Sequence, residues 1–335
     1  MSAAKRTASP AFGEDEIVAL IRRLTGPPPK RLLTGIGDDA AVWQPSRSHR
    51  SLVTTDALIE GVHFPRGLAP RDAGFRAMAA NVSDLAAMGA RPVLATVALG
   101  LREGTTLDEI EQLYGGVVAC ANEARMAIAG GDLTRAPVLT VAITAIGEAA
   151  PARLKTRAGA RPGDVVATTG ELGNSRAGLD LMREPGSLSG DVAERAASAF
   201  ARPQARWREG LFLAASRNVH AMMDCSDGLS TDLARLCEAS GVSACIEAVP
   251  VGAAAAAMAA RLGRDAEAYA LAGGEDFELL VAIAPRAYAH LAARFRARFG
   301  RPLERVGVLR EGRGVTWSRN GKEERIDRTG WDHFA

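Results

Sequence analysis

The chain has 335 residues, enough for two domains of ordinary size, each with its own core. Its composition, 47% hydrophobic and 24% charged, is that of a globular protein, and a formal net charge of +2 excludes a nucleic-acid partner held mainly by charge. The four cysteines (Cys120, Cys225, Cys237 and Cys245) form no C-x-x-C pair and lie in apolar or helical stretches, which argues against a disulfide framework or zinc site and for a reducing cytoplasm.

Met1–Phe12 carries Lys5 and Arg6 but no apolar run, so it reads as a disordered tail and not a secretory signal. Gly13–Leu24 has apolar residues at helical spacing (Ile17, Leu20, Ile21, Leu24) and stops at Gly26 and the following prolines. Two short strands are predicted at Ala40–Trp43 and Leu52–Thr55, separated by the polar turn Pro45–Arg50. A helix at Pro70–Met88, a strand at Pro92–Leu101, a helix at Thr106–Met126 and a strand at Val138–Ile146 follow. On this reading Gly130-Gly131-Asp132 ends a helix and opens a loop.

The basic, irregular stretch Ala149–Pro162 marks a domain boundary, giving a tail at 1–12, an N-terminal domain at 13–150 and a C-terminal domain at 151–335. The second half is expected to hold strands at Asp164–Thr168, Ala221–Asp224, Ala244–Ala248 and Glu278–Ile283. Its helices are expected at Ser175–Met182, Asp191–Ala199, Ala205–Ala215 and Leu229–Ala239. Val251–Ala260 is dominated by alanine and too short for a bilayer span, so it reads as a further helix and no membrane partner is implied. Alternating strands and helices predict an α/β architecture with mixed sheets.

Acidic residues recur inside short glycine-bounded or small-residue segments: Gly37-Asp38-Asp39, Thr54-Thr55-Asp56, Asn81-Val82-Ser83-Asp84, Gly130-Gly131-Asp132 and Asp224-Cys225-Ser226-Asp227-Gly228. Mg2+ is a hard cation usually held by a few carboxylates, with substrate phosphates and water completing its shell. Adjacent glycines let the backbone approach phosphate, and hydroxyls add further oxygens. A solvated turn would explain one such segment; their recurrence points to a magnesium-polyphosphate site. The usual nucleotide motifs do not supply it. Gly35-Ile36-Gly37-Asp38-Asp39-Ala40 fits G-x-G-x-x-A, but no strand precedes it and Pro45 follows too soon for the required helix. Gly321-Lys322 is followed by Glu323 and is no P-loop.

Strand alternation sends Thr55 to the face opposite Thr54 and Asp56, unless the strand breaks there. Asp84 lies on a helix whose Ala79, Ala80, Ala86 and Ala87 keep its surface small. Gly273-Gly274-Glu275-Asp276 would offer Glu275 to a cationic or hydrogen-bonding substrate group, or is only a turn. His63 has no second histidine at zinc spacing and reads more readily as a hydrogen-bonded residue than as a ligand. Trp331 suits stacking on an aromatic ligand, or docking of the C-terminal segment into the core.

Taken in order, these segments together with Glu60-Gly61-Val62-His63-Phe64, Asp84-Leu85-Ala86-Ala87-Met88-Gly89-Ala90 and the ending Trp331-Asp332-His333-Phe334 resemble the thiamine-monophosphate kinase family, from Gly13 onward. The resemblance implies a two-domain aminoimidazole-ribonucleotide synthetase-like fold, a homodimer formed through the N-terminal sheet, and cytoplasmic location. It implies transfer of phosphate from ATP to thiamine monophosphate, giving thiamine diphosphate in the last step of its biosynthesis. Carried over residue by residue, Asp39, Thr54, Thr55, Asp56, Asp84, Asp132, Asp224 and Asp227 would hold several Mg2+ ions, the aspartates acting in catalysis through the metal. Tyr114, Gly131, Asp132, Arg157 and Ser226 would meet ATP, and His63, Glu275 and Trp331 the thiamine phosphate. Leu133 departs from the threonine often found after Gly-Gly-Asp in the family, removing a hydroxyl but no acid.

Two rivals remain. One is another activity of the same superfamily: aminoimidazole-ribonucleotide synthesis, selenophosphate synthesis or hydrogenase maturation. A selenophosphate enzyme would be expected to carry a reactive cysteine or selenocysteine near the N-terminus and a maturation protein a cysteine at the C-terminus, but in this chain the first is Cys120 and the last Cys245. A catalytically silent nucleotide-binding subunit is the other, against which the intact acidic motifs argue.

Overall fold

The computed structural model describes residues 12–331, so the predicted N-terminal tail except Phe12, and the Asp332-His333-Phe334 part of the ending, lie outside the described residues. The chain divides into two compact units, passing between them first in the loop at Gln44–Pro45 and then within continuous strands and one helix. The first takes in the described residues to Gln44, Thr55–Met78 and Leu94–Thr144; the second takes in Pro45–Thr54, Ala79–Val93 and Ala145 onward.

The first unit opens with α1 (Glu14–Thr25), which buries Ile17, Leu20 and Ile21 and ends at Gly26, as its spacing predicts. A small ribbon, β1 (Leu32–Thr34) with β2 (Val42–Trp43), frames the Gly35–Ala41 loop. The main sheet has the order β3-β6-β4-β5, made of β3 (Arg50–Ile59), β6 (Thr140–Ala149), β4 (Arg91–Leu101) and β5 (Ala127–Arg135). The helix α2 (Pro70–Ala87) leads into β4, and α3 (Leu107–Glu123) links β4 to β5. Thr106 starts α3 with a capping box, its hydroxyl accepting from the Glu109 N–H while the Glu109 carboxylate accepts from its own.

The structure corrects two readings. Helix α3 stops at Glu123, three residues before the predicted end, and Arg125 takes a left-handed φ of 57° that no helix continues through. The Gly130-Gly131-Asp132 segment is therefore not a helix end but the middle of β5. It pairs in parallel with β4, placing Gly131 opposite Val97 and Asp132 opposite Ala98. A Cβ on Gly131 would stand 1.9 Å from the Val97 carbonyl oxygen, so the glycine is there for close strand approach. The second correction concerns Thr54-Thr55-Asp56, which sits mid-strand in β3 and not at a strand end.

In the second unit a seven-stranded sheet runs β13-β12-β9-β11-β7-β10-β8. These are β7 (Val165–Thr168), β8 (Val219–Asp224), β9 (Ser243–Ile246), β10 (Leu279–Ile283), β11 (Glu304–Arg310), β12 (Gly314–Arg319) and β13 (Lys322–Ile326). Every pair is antiparallel except β12 with β9. Both faces are apolar, and the period of two is visible in which residues pack where. Ala221 and Met223 of β8, with Leu280 and Ala282 of β10, face a core shared with α7 (Leu229–Ser240). Met222, Leu279, Val281 and Ile283 face the other way, against α6 (Trp207–Ala214) and α10 (Pro285–Phe299). Ala86 and Ala87 at the end of α2 belong to that second core, which places the neighbouring Ser83 and Asp84 beside the end of β8. A third cluster packs α4 (Asn174–Arg183), α5 (Gly190–Ala201), α8 (Ala253–Arg261) and α9 (Ala266–Ala272) through small residues such as Ala177, Ala196 and Ala255.

Candidate functional site

In the second unit the candidate residues gather where β8 ends. Asp224 closes the strand opposite Leu279, and the ladder continues past both into the loops that follow. Cys225 N–H donates to the Glu278 carbonyl at 2.7 Å, Phe277 N–H to the Cys225 carbonyl at 3.0 Å, and Glu275 N–H to the Ser226 carbonyl at 2.7 Å. The Asp224–Gly228 and Gly273–Glu278 motifs are thus one paired structure. Its turn holds Glu275 and Phe277 at left-handed φ values of 65° and 51°, a conformation side-chain-bearing residues keep only when the surroundings impose it, at a cost of order 1 kcal/mol each.

Two acids to which the sequence assigned no role fix this geometry. Asp232, in the first turn of α7, turns one oxygen back to accept the backbone N–H groups of both Ser226 and Asp227 at 3.0 Å. Its other oxygen accepts from Arg235 at 3.2 Å, and the same guanidinium nitrogen also bonds the Asp227 carboxylate. Asp276 turns away from the loop and accepts the N–H groups of Gly173 and Ser175, closing the N-terminus of α4. Burial pushes the carboxyls of Asp232 and Asp276 each up to about 7, the charges of Asp224 and Asp227 adding to the rise at Asp232. An acid in the first turn of a helix is the only sequence signal for Asp232, and it is shared by ordinary solvent-facing residues.

From α2, the Ser83 hydroxyl donates to Asp224 Oδ2 at 2.7 Å, and from β3 the Thr54 hydroxyl donates to the Asp84 carboxylate. Asp224 is 3% exposed. Burial and the nearby Asp84 charge push its carboxyl up to about 6, against the opposing pull of the Ser83 bond and the Arg157 charge. Two carboxylates that repel each other in a nest of oxygens are what a hard divalent cation neutralises. Among the described residues no group of three or more His, Cys, Asp or Glu side chains converges to hold a metal unaided. A cation that shares its shell with phosphates requires only one or two carboxylates, so the Asp84–Asp224 pair suits Mg2+.

Thr55 does not join this group. Its hydroxyl donates to the Ile143 carbonyl at 3.1 Å and accepts from Thr144 at 3.2 Å, because the strand continues and alternation turns it toward β6. Arg157 is exposed and its carbonyl accepts from the Ser240 hydroxyl at 2.7 Å. Trp331 is 48% exposed, and its N–H donates to the Asp227 carbonyl at 3.1 Å.

In the first unit a cavity of about 470 Å³ brings together Asp38, Asp39, Tyr114, Gly131 and Asp132. Its mouth is shaped by the Gly35–Ala41 loop, which Arg22 of α1 holds by donating to the Ile36 carbonyl at 2.9 and 3.1 Å. The acids are exposed and Tyr114 is 2% exposed, its phenol held neutral because burial raises its pKa. Asp56 is half-buried on β3 and is not among the cavity's lining residues. His63 follows β3 and accepts the Ile59 N–H on Nδ1 at 3.0 Å. That bond makes Nδ1 the acceptor, which in the neutral ring puts the proton on Nε2.

The comparisons with known proteins agree with one another. Residues 37–149 match the family model of the AIR synthase related protein N-terminal domain, and residues 161–318 that of its C-terminal domain. A thiamine-monophosphate kinase of Rhodopirellula baltica is 36% identical over 333 residues, 96% of this chain and 97% of the relative. The chain belongs to the thiamine-monophosphate kinase family. The crystal structure of the family member from Stenotrophomonas maltophilia K279a superposes with a TM-score of 0.79 at 35% identity, covering 92% of this chain and 95% of that one. AaThiL complexed with AMPPCP and TMP gives 0.76 at 31% identity, over 96% of this chain and 97% of that chain. The hydrogenase maturation protein HypE in complex with ATP also reaches 0.79, but at 22% identity over 95% and 96% of the two chains it shares the fold alone. Backbone shape does not separate these families; the sequence does.

Proposed function

We propose that this protein transfers the terminal phosphoryl group of ATP to thiamine monophosphate, giving thiamine diphosphate and ADP. The observation that carries the proposal is AaThiL, alike over nearly its whole length and held with AMPPCP, an ATP analogue, and TMP. Asp39 and Asp132 of the first unit, and Thr54, Asp84, Asp224 and Asp227 of the second, are proposed to hold Mg2+, with Asp56 a further ligand. Thr55 is left out because its hydroxyl bonds β6. Bound Mg2+ would offset the repulsion between two anionic phosphates and align them.

The protein's own groups then have limited tasks. A phosphate acceptor with a second pKa near about 6 is already ionised at neutral pH, so no side chain is needed as a base. Transfer is direct and in line, with no covalent enzyme intermediate. Tyr114, Gly131, Asp132, Arg157 and Ser226 are assigned to ATP. His63, through its Nε2 proton, is assigned to the acceptor phosphate, Glu275 to the cationic thiazolium, and Trp331 to stacking on the pyrimidine. We further assign the active form to a cytoplasmic homodimer. The edge strand β3, where Val53 is 67% exposed, supports pairing through the N-terminal sheet, and no described helix is long and apolar enough to cross a membrane.

The deciding experiment is ADP release by the purified protein with ATP and Mg2+, with and without thiamine monophosphate, following product mass. Thiamine diphosphate formed in step with ADP is expected; Mg-dependent ATP binding with no product would instead indicate another acceptor or a regulatory role.

A further inference from the structure

Three consecutive residues near the end of the chain lie across the start of α7 and the loop before it. Thr329 N–H donates to Ser230 Oγ at 3.2 Å, Gly330 N–H to Thr231 Oγ1 at 3.1 Å, and Trp331 N–H to the Asp227 carbonyl at 3.1 Å. The Ser230 and Thr329 hydroxyls also bond each other at 2.9 Å. Ser230 and Thr231 are both buried, so these are fixed acceptors and not solvated side chains that happen to lie close. Trp331 as a whole is half exposed, and its backbone N–H is held by the Asp227 carbonyl.

The middle residue has no room for a side chain. A Cβ on Gly330 would lie 1.8 Å from the Asp227 carbonyl oxygen and 2.6 Å from Thr231 Oγ1. Backbone oxygen cannot yield at that distance without moving the loop, so any larger residue lifts the segment off. We infer that Gly330 is a positioning residue for the acceptor substrate: it lets the Thr329–Trp331 segment lie flat on Asp227 and Thr231, so that one peptide unit sets both Trp331 and the Asp227 loop. The inference rests on the assignment of Trp331 to the thiamine ring.

The test uses full-length Gly330→Ala and Thr231→Val, with Trp331→Ala and the Gly330→Ala/Trp331→Ala pair as references, read by steady-state kinetics and thermal unfolding. Gly330→Ala is expected to raise KM for thiamine monophosphate about tenfold, and Thr231→Val about threefold, with smaller changes in kcat and in KM for ATP. In the Trp331→Ala background the Gly330 effect is expected to vanish, because both changes act through the same ring. If Trp331→Ala raises KM while Gly330→Ala and Thr231→Val do not, the positioning role is wrong and the ring assignment stands. If Trp331→Ala leaves KM unchanged, the ring assignment fails and the inference with it. A Gly330 effect that persists without Trp331 would show action through Asp227 alone and overturn positioning through the ring. Should Gly330→Ala fail to fold, Thr231→Val, which adds no bulk at the contact, decides the question by the same KM comparison.

Discussion

Ser83 on α2 and Asp224 at the end of β8, 141 positions apart, are joined by a buried 2.7 Å hydrogen bond. The bond fixes the inner carboxylate of a repelling pair, since the Asp84 charge beside it helps push Asp224 up to about 6. Replacing Asp224 by Asn keeps an oxygen for the Ser83 hydroxyl and deletes the charge. Activity should fall at least about 100-fold. In EDTA, however, the variant should melt about 2–4 °C above the unsubstituted protein, because a buried like-charge repulsion is gone. The rise in melting temperature that Mg2+ and ATP give the parent should be absent. Scanning calorimetry with and without Mg2+ reads both effects, and an Asp224→Asn enzyme with parental activity would remove this residue from the site.

Adjacent glycines in β5 should behave differently. Gly131→Ala sets a methyl against the Val97 carbonyl and should cost about 3 kcal/mol or more, or prevent folding. Gly130 has open space around its Cβ position, so Gly130→Ala should leave stability within about 1 kcal/mol. If ATP phosphates approach this part of the cavity, Gly130→Ala should still weaken ATP binding several-fold. Calorimetric titration with a non-hydrolysable ATP analogue alongside a melt separates the two outcomes.

Asp276 makes a prediction about pH. Its carboxyl is raised from 3.8 to about 7 in the folded protein, chiefly by burial. Between about pH 4 and pH 7 the folded state therefore holds a proton that the unfolded state has lost, so its contribution to stability is present below pH 4, declines across that window and is gone above it. Asp276→Asn should remove this share of the slope, shrinking the stability difference between pH 5 and pH 8 by on the order of 2 kcal/mol. Urea unfolding of both proteins at the two pH values measures it; an unchanged slope would mean that the carboxylate is far better solvated than its position indicates.

Asp232 is predicted to matter as much as the residues it supports. Asp232→Ala strips the acceptor from the Ser226 and Asp227 amides and leaves Arg235 to pair with Asp227 alone. Hydrogen exchange at those two amides should quicken, stability should drop by about 2–3 kcal/mol and activity by about tenfold or more. Asp232→Asn, which keeps one acceptor oxygen, should recover most of the stability.

The sequence pattern located α2, β4, β8 and α7 within a few residues because each joins a clear apolar period to a recognisable start or stop, such as Pro70 at the head of α2 or Gly241 after α7. Strand β5 was hidden for a physical reason. Its central glycine pair has poor strand propensity, and the force that makes it a strand, contact with Val97, comes from a neighbour more than thirty positions earlier. The acidic motifs were legible as oxygen donors, but the division of labour among acids was not. Asp276 and Glu275 are adjacent, yet the carboxylate of one closes a helix while the other bonds Ser226 of the loop through its N–H, across a left-handed turn at Glu275 and Phe277. Thr55 shows the converse, a residue inside a motif whose hydroxyl is turned elsewhere by the strand period.

The bonds from Thr329, Gly330 and Trp331 onto α7 and the loop before it also bear on how the chain comes to its final form. Synthesis completes β8, α7 and the Asp224–Gly228 loop long before residues 329–331 exist, and contacts of such sequence separation carry a loop-closure cost that defers them. The Thr329–Trp331 contacts are therefore made late, on a loop whose other partners are already in place. A nascent chain that has not reached residue 329 can build both sheets and still pair Asp227 with Asp232 and Arg235, yet lack the Thr329–Trp331 cover, so a premature stop before codon 329 should leave a protein that folds without acquiring a finished centre.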